Sequence, residues 1–237
     1  MGATQIVNFI RRTFQNESDF IPLHAPRFNG NEKKYVLDTI DSTFVSSVGA
    51  YANRFEEMMC EITGAKYSIA TVNGTTALHL ALVLAGVKYD EEVITQPLTF
   101  VATANAIAHA GARPVFVDVD RDTLGMSPIA LRNFLENETT YNEKGQCINK
   151  TSRKRIAACL PMHTFGFPAR ISELATICNE YNIVIVEDTA ESLGSFTNGE
   201  HTGILGLLAA FSFNGNKVTT SGGGGAIITN NETLYRK

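Results

Sequence analysis

From Tyr67 onward the chain repeats one unit: a short run that is apolar throughout, a polar or glycine-rich turn, then a stretch of helical length. The apolar runs do not alternate with polar residues, which is the pattern of strands covered on both faces by helices. This spacing predicts strands over Tyr67–Val72, Glu92–Gln96, Pro114–Asp118, Arg155–Leu160, Ile183–Glu187, Leu207–Phe213 and Gly225–Thr229. Helices are predicted over Thr76–Ala85, Phe100–Ala110, Pro128–Leu135 and Ile171–Tyr181. The fold class that follows is α/β, a mostly parallel central sheet with helices on both faces. In such sheets ligands bind at the carboxyl ends of the strands. The polar motifs lie at those ends: Asn73-Gly74-Thr75, Pro97-Leu98-Thr99-Phe100, His163, Glu187-Asp188 and Ser212 to Lys217.

The rest of the chain constrains less. Residues 1–30 read as an irregular arm, with Pro22 and Pro26 breaking any helix there. Asn31 is placed to cap a helix reaching Ile40, and Phe55, Met58, Met59 and Ile62 recur at helical spacing over Tyr51–Ile62. Residues Glu136–Arg155 are polar and read as an exposed excursion. With 24 acidic and 20 basic residues the net charge is only -4, which gives no reason to invoke nucleic acid or an anionic membrane. No run approaches the roughly 18 apolar residues of a membrane span, so a cytoplasmic protein is expected. The four cysteines form no C-x-x-C pair and read as reduced, mostly buried thiols, neither a disulfide framework nor a metal site.

Each polar motif admits two readings on its own. Gly74-Thr75 opens a helix after a strand, where backbone N–H groups and a hydroxyl make an anion site suited to phosphate. Taken alone, a glycine turn followed by a capping threonine is more often ordinary helix punctuation. Glu187-Asp188 ends an apolar strand, where a carboxylate is costly without a cationic partner. A protonated pyridine nitrogen is such a partner, and a helix-capping acid is the alternative. Lys217 follows the small polar loop Asn214-Gly215-Asn216 and either points into the cleft, as an amine able to add to a carbonyl, or sits in solvent. Phe100 either stacks on a flat ring or packs in the core. His163 is a structural histidine or a site residue. Gly222 to Gly225 let the backbone approach a neighbour closely, but neither a Walker loop nor a dinucleotide fingerprint is present.

Their order is more specific than any one of them. Asn73-Gly74-Thr75-Thr76-Ala77-Leu78, Thr99-Phe100-Val101-Ala102-Thr103, Pro114-Val115-Phe116-Val117-Asp118, Glu187-Asp188-Thr189-Ala190-Glu191, and Ser212 to Lys217 with the glycine run resemble the DegT/DnrJ/EryC1/StrS family. These are pyridoxal 5'-phosphate (PLP)-dependent sugar aminotransferases of fold type I. The resemblance runs from about Pro22 to the end, making residues 31–237 a PLP-binding large domain. The chain stops inside the apparent start of a helix, and the family's smaller C-terminal domain does not follow. The resemblance implies Lys217 as the Schiff-base lysine and Asp188 as the partner of the pyridine nitrogen. It implies Gly74, Thr75 and Ser212 as phosphate contacts and Phe100 as the stacking aromatic. Glu191 stands where the family usually has Gln or His near the cofactor hydroxyl, and an ionised Glu cannot donate a hydrogen bond. The glycine run departs from the usual Gly-Glu-Gly-Gly. Both departures resemble the branch that makes 4-amino sugars for legionaminic acid or bacillosamine.

The implied reaction is ping-pong transfer of an amino group from glutamate to a keto group, at C4, of a nucleotide-linked sugar. The setting is surface polysaccharide or nonulosonic acid biosynthesis, and the enzyme is a homodimer. Two alternatives stand beside it. A PLP-type sugar dehydratase has His in place of the lysine. A non-catalytic binding or regulatory domain of the same fold needs no lysine-bound cofactor.

Overall fold

The computed structural model describes residues 2–237. Helices α1 (Ala3–Thr13), α2 (Glu32–Asp41) and α3 (Ala50–Thr63) come first. The alternating part follows: β1 (Tyr67–Thr71), α4 (Gly74–Leu84), β2 (Glu92–Thr95), α5 (Val101–His109), β3 (Arg113–Phe116) and α6 (Pro128–Glu138). A two-stranded ribbon, β4 (Thr139–Tyr141) and β5 (Cys147–Asn149), leads to β6 (Ile156–Leu160), α7 (Ile171–Glu180) and β7 (Val184–Asp188). A second short ribbon, β8 (Phe196–Thr197) and β9 (Glu200–His201), precedes β10 (Leu208–Ser212), β11 (Gly225–Thr229) and α8 (Glu232–Tyr235).

Seven strands form the central sheet in the order β1-β11-β10-β7-β6-β2-β3. All neighbours are parallel except those of β11, which runs antiparallel to both β1 and β10. Successive strand residues face opposite ways, so each apolar strand feeds two cores. Leu208 and Ala210 of β10 join Ala77, Leu78, Ala81 and Ala106 of α4 and α5 on one face. Ala209 and Phe211 join Met59 beneath α3 on the other. Further along that second side, Ile94, Cys159 and Ile185 pack on Leu131, Leu174 and Cys178 of α6 and α7. Pro114 is tolerated because β3 lies at the sheet edge, where a missing N–H costs no ladder bond.

Three sequence expectations change. The first thirty residues hold α1, which lies ahead of both prolines and so escapes them. Asn31 stands at the start of α2 but its side chain caps no amide. Residues 136–155 are anchored as well as exposed: Cys147 and Asn149 are buried, and the Asn149 amide donates to the Glu92 carboxylate at 2.9 Å. A buried carboxylate at the start of β2 needs that donor. The four cysteines are free thiols, three of them buried. Among the described residues no helix is long and apolar enough to cross a membrane.

Candidate active site

The reversal of β11 builds the site. Gly225, its first residue, pairs with Thr71 at the end of β1 and with Ser212 at the end of β10. The carboxyl ends of β1 and β10 therefore meet at one point, and the loop from β10 to β11, carrying Lys217, stays at that edge of the sheet. A cavity of about 240 Å³ opens there, lined by residues that include Gly74, Thr75, Phe100, Asp188, Ser212 and Lys217.

Its anion end is the start of α4. The Asn73 side chain accepts from the Thr76 amide at 2.8 Å and so caps the helix. The first amides of a helix have no intrahelical acceptor, and the helix dipole places positive potential there. Gly74 is required by contact: a Cβ on it would stand 2.6 Å from the Ser212 Cβ. Gly225 is tighter still, since its Cβ would meet the Asn73 carbonyl carbon at 2.5 Å. Glycine at these two positions brings a helix N-terminus, a serine hydroxyl and a glycine turn together in one cradle.

The acidic pair at the end of β7 is divided by strand geometry. Glu187 faces away from the cavity, fully buried, and accepts from the Gly203 and Gly206 amides at 2.9 and 2.6 Å and from His163 Nε2 at 2.9 Å. His163 Nδ1 accepts from the Ala169 amide at 3.0 Å, so the ring proton sits on Nε2. His163 is thus a structural residue behind the site. Asp188 lines the cavity, with Oδ2 accepting from Thr103 Oγ1 at 2.7 Å and Oδ1 from the Ala190 amide at 3.1 Å. Burial pushes its carboxyl above the usual range, and the Thr103 and Ala190 donors pull part of the way back. Burial makes the ionised carboxylate costly, and a cation beside it would lower that cost.

Lys217 is buried, with 8% of its side chain exposed. Nζ donates to Glu191 Oε1 at 3.1 Å and lies 5.5 Å from the centre of the Phe100 ring. The other Glu191 oxygen accepts from the Phe165 amide at 2.9 Å. Phe100 itself is 58% exposed, so it is not a core residue; its ring borders the cavity. Sequence reasoning missed Thr103, Met162, Asn214 and Asn216, which also line the cavity. Asn214 and Asn216 had a signal in the polar loop before Lys217, and Thr103 lies one helical turn beyond Thr99, their hydroxyls 2.6 Å apart.

Comparison with known proteins decides the family. Residues 26–237 match the DegT/DnrJ/EryC1/StrS aminotransferase family. The chain belongs to that family. The GDP-perosamine synthase of Escherichia coli is 37% identical over 91% of this chain and 55% of its own length. The putative pyridoxal phosphate-dependent aminotransferase EpsN of Bacillus subtilis is 38% identical over 92% of this chain and 53% of its own. The chain spans about half the length of the curated relatives it matches. An aminotransferase structure from Psychrobacter cryohalolentis superposes with a TM-score of 0.79 at 29% identity, over 91% of this chain and 51% of that one. DesI, solved with its TDP-sugar product, gives 0.78 at 26% identity, over 95% and 54%. Both are structures of the same fold type I architecture, and the cofactor that membership brings is pyridoxal 5'-phosphate. The residues present fit it: a cradle that a Cβ would fill, a buried acid facing the cavity, and a buried amine opposite.

Proposed function

We propose that this chain is the PLP-binding large domain of an aminotransferase that moves an amino group from glutamate to the C4 keto group of a nucleotide-linked sugar. The observation that carries the reading is one cavity holding the Lys217 amine, the Asp188 carboxyl and the Gly74–Ser212 cradle together. Relatives named for GDP-perosamine and a neighbour solved with a TDP-sugar product support the substrate class. The glycine run and Glu191 support the 4-amino-sugar branch of surface polysaccharide or nonulosonic acid synthesis. Homodimerisation and a further domain are part of the same proposal.

Each residue then has a task. Gly74, Thr75 and Ser212 hold the phosphate at the helix N-terminus. Phe100 covers one face of the ring. Asp188, kept in place by Thr103 and Ala190, holds the ring nitrogen in its protonated form. When bound, the cofactor supplies an electron sink for the pair left when a C–H bond beside nitrogen breaks. Lys217 Nζ would hold the cofactor and, when free, would take the proton from the donor's α-carbon and return it as an acid. Glu191 keeps Nζ directed into the cavity through their ion pair.

The test is a titration with pyridoxal phosphate followed by absorbance, then borohydride reduction and peptide mapping. A visible band and a reduced adduct on Lys217 are expected, and Lys217→Ala removes both the adduct and turnover. An adduct on another lysine overturns the site. The dehydratase reading conflicts with Lys217, where that branch has His. A non-catalytic binding domain of the same fold is the second reading, and it predicts no adduct at all.

A further inference from the structure

We propose that Gln96 is a positioning residue that locks three loops around the cofactor site and sets the place of Phe100. The inference rests on the functional reading above for what Phe100 does, but its structural part stands alone. Gln96 follows directly on β2, is fully buried and does not line the cavity. Its amide uses all four of its hydrogen-bonding capacities. Oε1 accepts from the Met126 amide at 2.8 Å and the Met162 amide at 3.2 Å. Nε2 donates to the Leu98 carbonyl at 3.0 Å and to Thr164 Oγ1 at 2.9 Å. Thr164 Oγ1 passes its own proton to the Leu124 carbonyl at 3.0 Å. One side chain therefore ties the loop after β2, the loop before α6 and the loop after β6.

The need for such a tie follows from Phe100. A ring this exposed is not fixed by core packing, so its place depends on the backbone that leads to it. That backbone is short: Leu98, whose carbonyl Gln96 holds, lies two residues before Phe100. On the other side Gln96 fixes the amide of Met162, which lines the cavity. No other neutral side chain of this length offers two donors and two acceptors. Glutamate keeps the acceptors for Met126 and Met162 and loses the donors to Leu98 and Thr164. Gln96→Glu is thus a one-sided cut that spares half of the clamp.

Two measurements test it. In the cofactor-free chain, amide hydrogen exchange read by mass spectrometry should speed up in residues 97–103 by about tenfold in Gln96→Glu, the worth of one hydrogen bond. Residues 208–212 and 225–229 should be unchanged. A uniform rise, or none, overturns the proposal by making Gln96 an ordinary structural residue. In a titration with pyridoxal phosphate, Gln96→Glu should raise Kd about tenfold, and the double variant with Phe100→Leu should bind no more weakly than Phe100→Leu alone. Effects that multiply instead overturn the route through Phe100. If the unsubstituted chain takes no pyridoxal phosphate, the functional reading fails while the exchange pattern still decides the clamp. If Gln96→Glu does not fold, Thr164→Val cuts one Nε2 bond and is read the same way.

Discussion

Asp188 is the residue where stability and function pull apart. Its folded carboxyl is biased toward the protonated form, chiefly by burial. By linkage, the stability this group contributes is full at pH below the ordinary carboxylate range and is lost as pH rises through its raised folded value. Asp188→Asn removes the buried charge and keeps its shape. The hydroxyls of Thr103 and Thr99 can reverse direction to accept from the new amide, with Met162 sulfur 2.9 Å from Thr99 Oγ1 as the last acceptor. The variant should melt higher than the parent at neutral pH without cofactor, with the gain vanishing as the buffer is made acidic, and should not transaminate. A lower melting temperature at neutral pH would show that the charge is already compensated. Glu187 and Asp188 entered the sequence reading as one acidic pair at a strand end, and strand geometry puts them on opposite faces. Which face is the site, and that Glu187 and His163 serve the fold behind it, depended on where the helices and the 203–206 turn came to lie.

At the scale of the element, the start of α4 shows why a helix N-terminus becomes a site. Its anion-binding amides are a property of any helix. The contact with Ser212 is what turns them into a cradle, and Gly74 is the residue that permits it. Gly74→Ala should force α4 and β10 apart, costing about 1–3 kcal/mol in urea denaturation and weakening pyridoxal phosphate binding more than it weakens the fold. Unchanged affinity would mean that the cradle is wider than the Cβ contact implies. The strands and helices from Tyr67 to Thr229 were readable because their apolar periods are unambiguous. The β4–β5 and β8–β9 ribbons were not: their strands are two or three residues long, and β4–β5 is held by distant groups, Asn149 to Glu92 and Tyr141 to the Glu180 carbonyl. Helix α1 escaped notice because none of its residues is buried.

Over the whole molecule, exposed large apolar side chains are most frequent in the first fifty residues. Val36, Leu37 and Ile40 of α2 are each more than half exposed, and so are Phe9 of α1 and Phe44 and Val48 before α3. Patches of this kind on a folded chain mark association surfaces. Sedimentation equilibrium should show self-association of this chain, and Leu37→Glu should weaken it with little effect on the melting temperature, since the residue is 59% exposed in the monomer. A monomer at every concentration would remove the homodimer from the proposal.

The amino-acid sequence by itself determined the layer architecture and the set of chemical groups at the strand ends, because hydrophobic period and turn chemistry act over a few residues. It also identified the lysine, the acid and the glycine turn as candidates, through their order along the chain. Only the tertiary structure decided which of them share a cavity. The decisive event is the reversal of β11, whose register joins the ends of β1 and β10, and register is fixed by packing between segments far apart in the chain. The same holds for Gln96 and Thr103: an amide or a hydroxyl acquires a role only when folding supplies the distant groups that complete its hydrogen bonds.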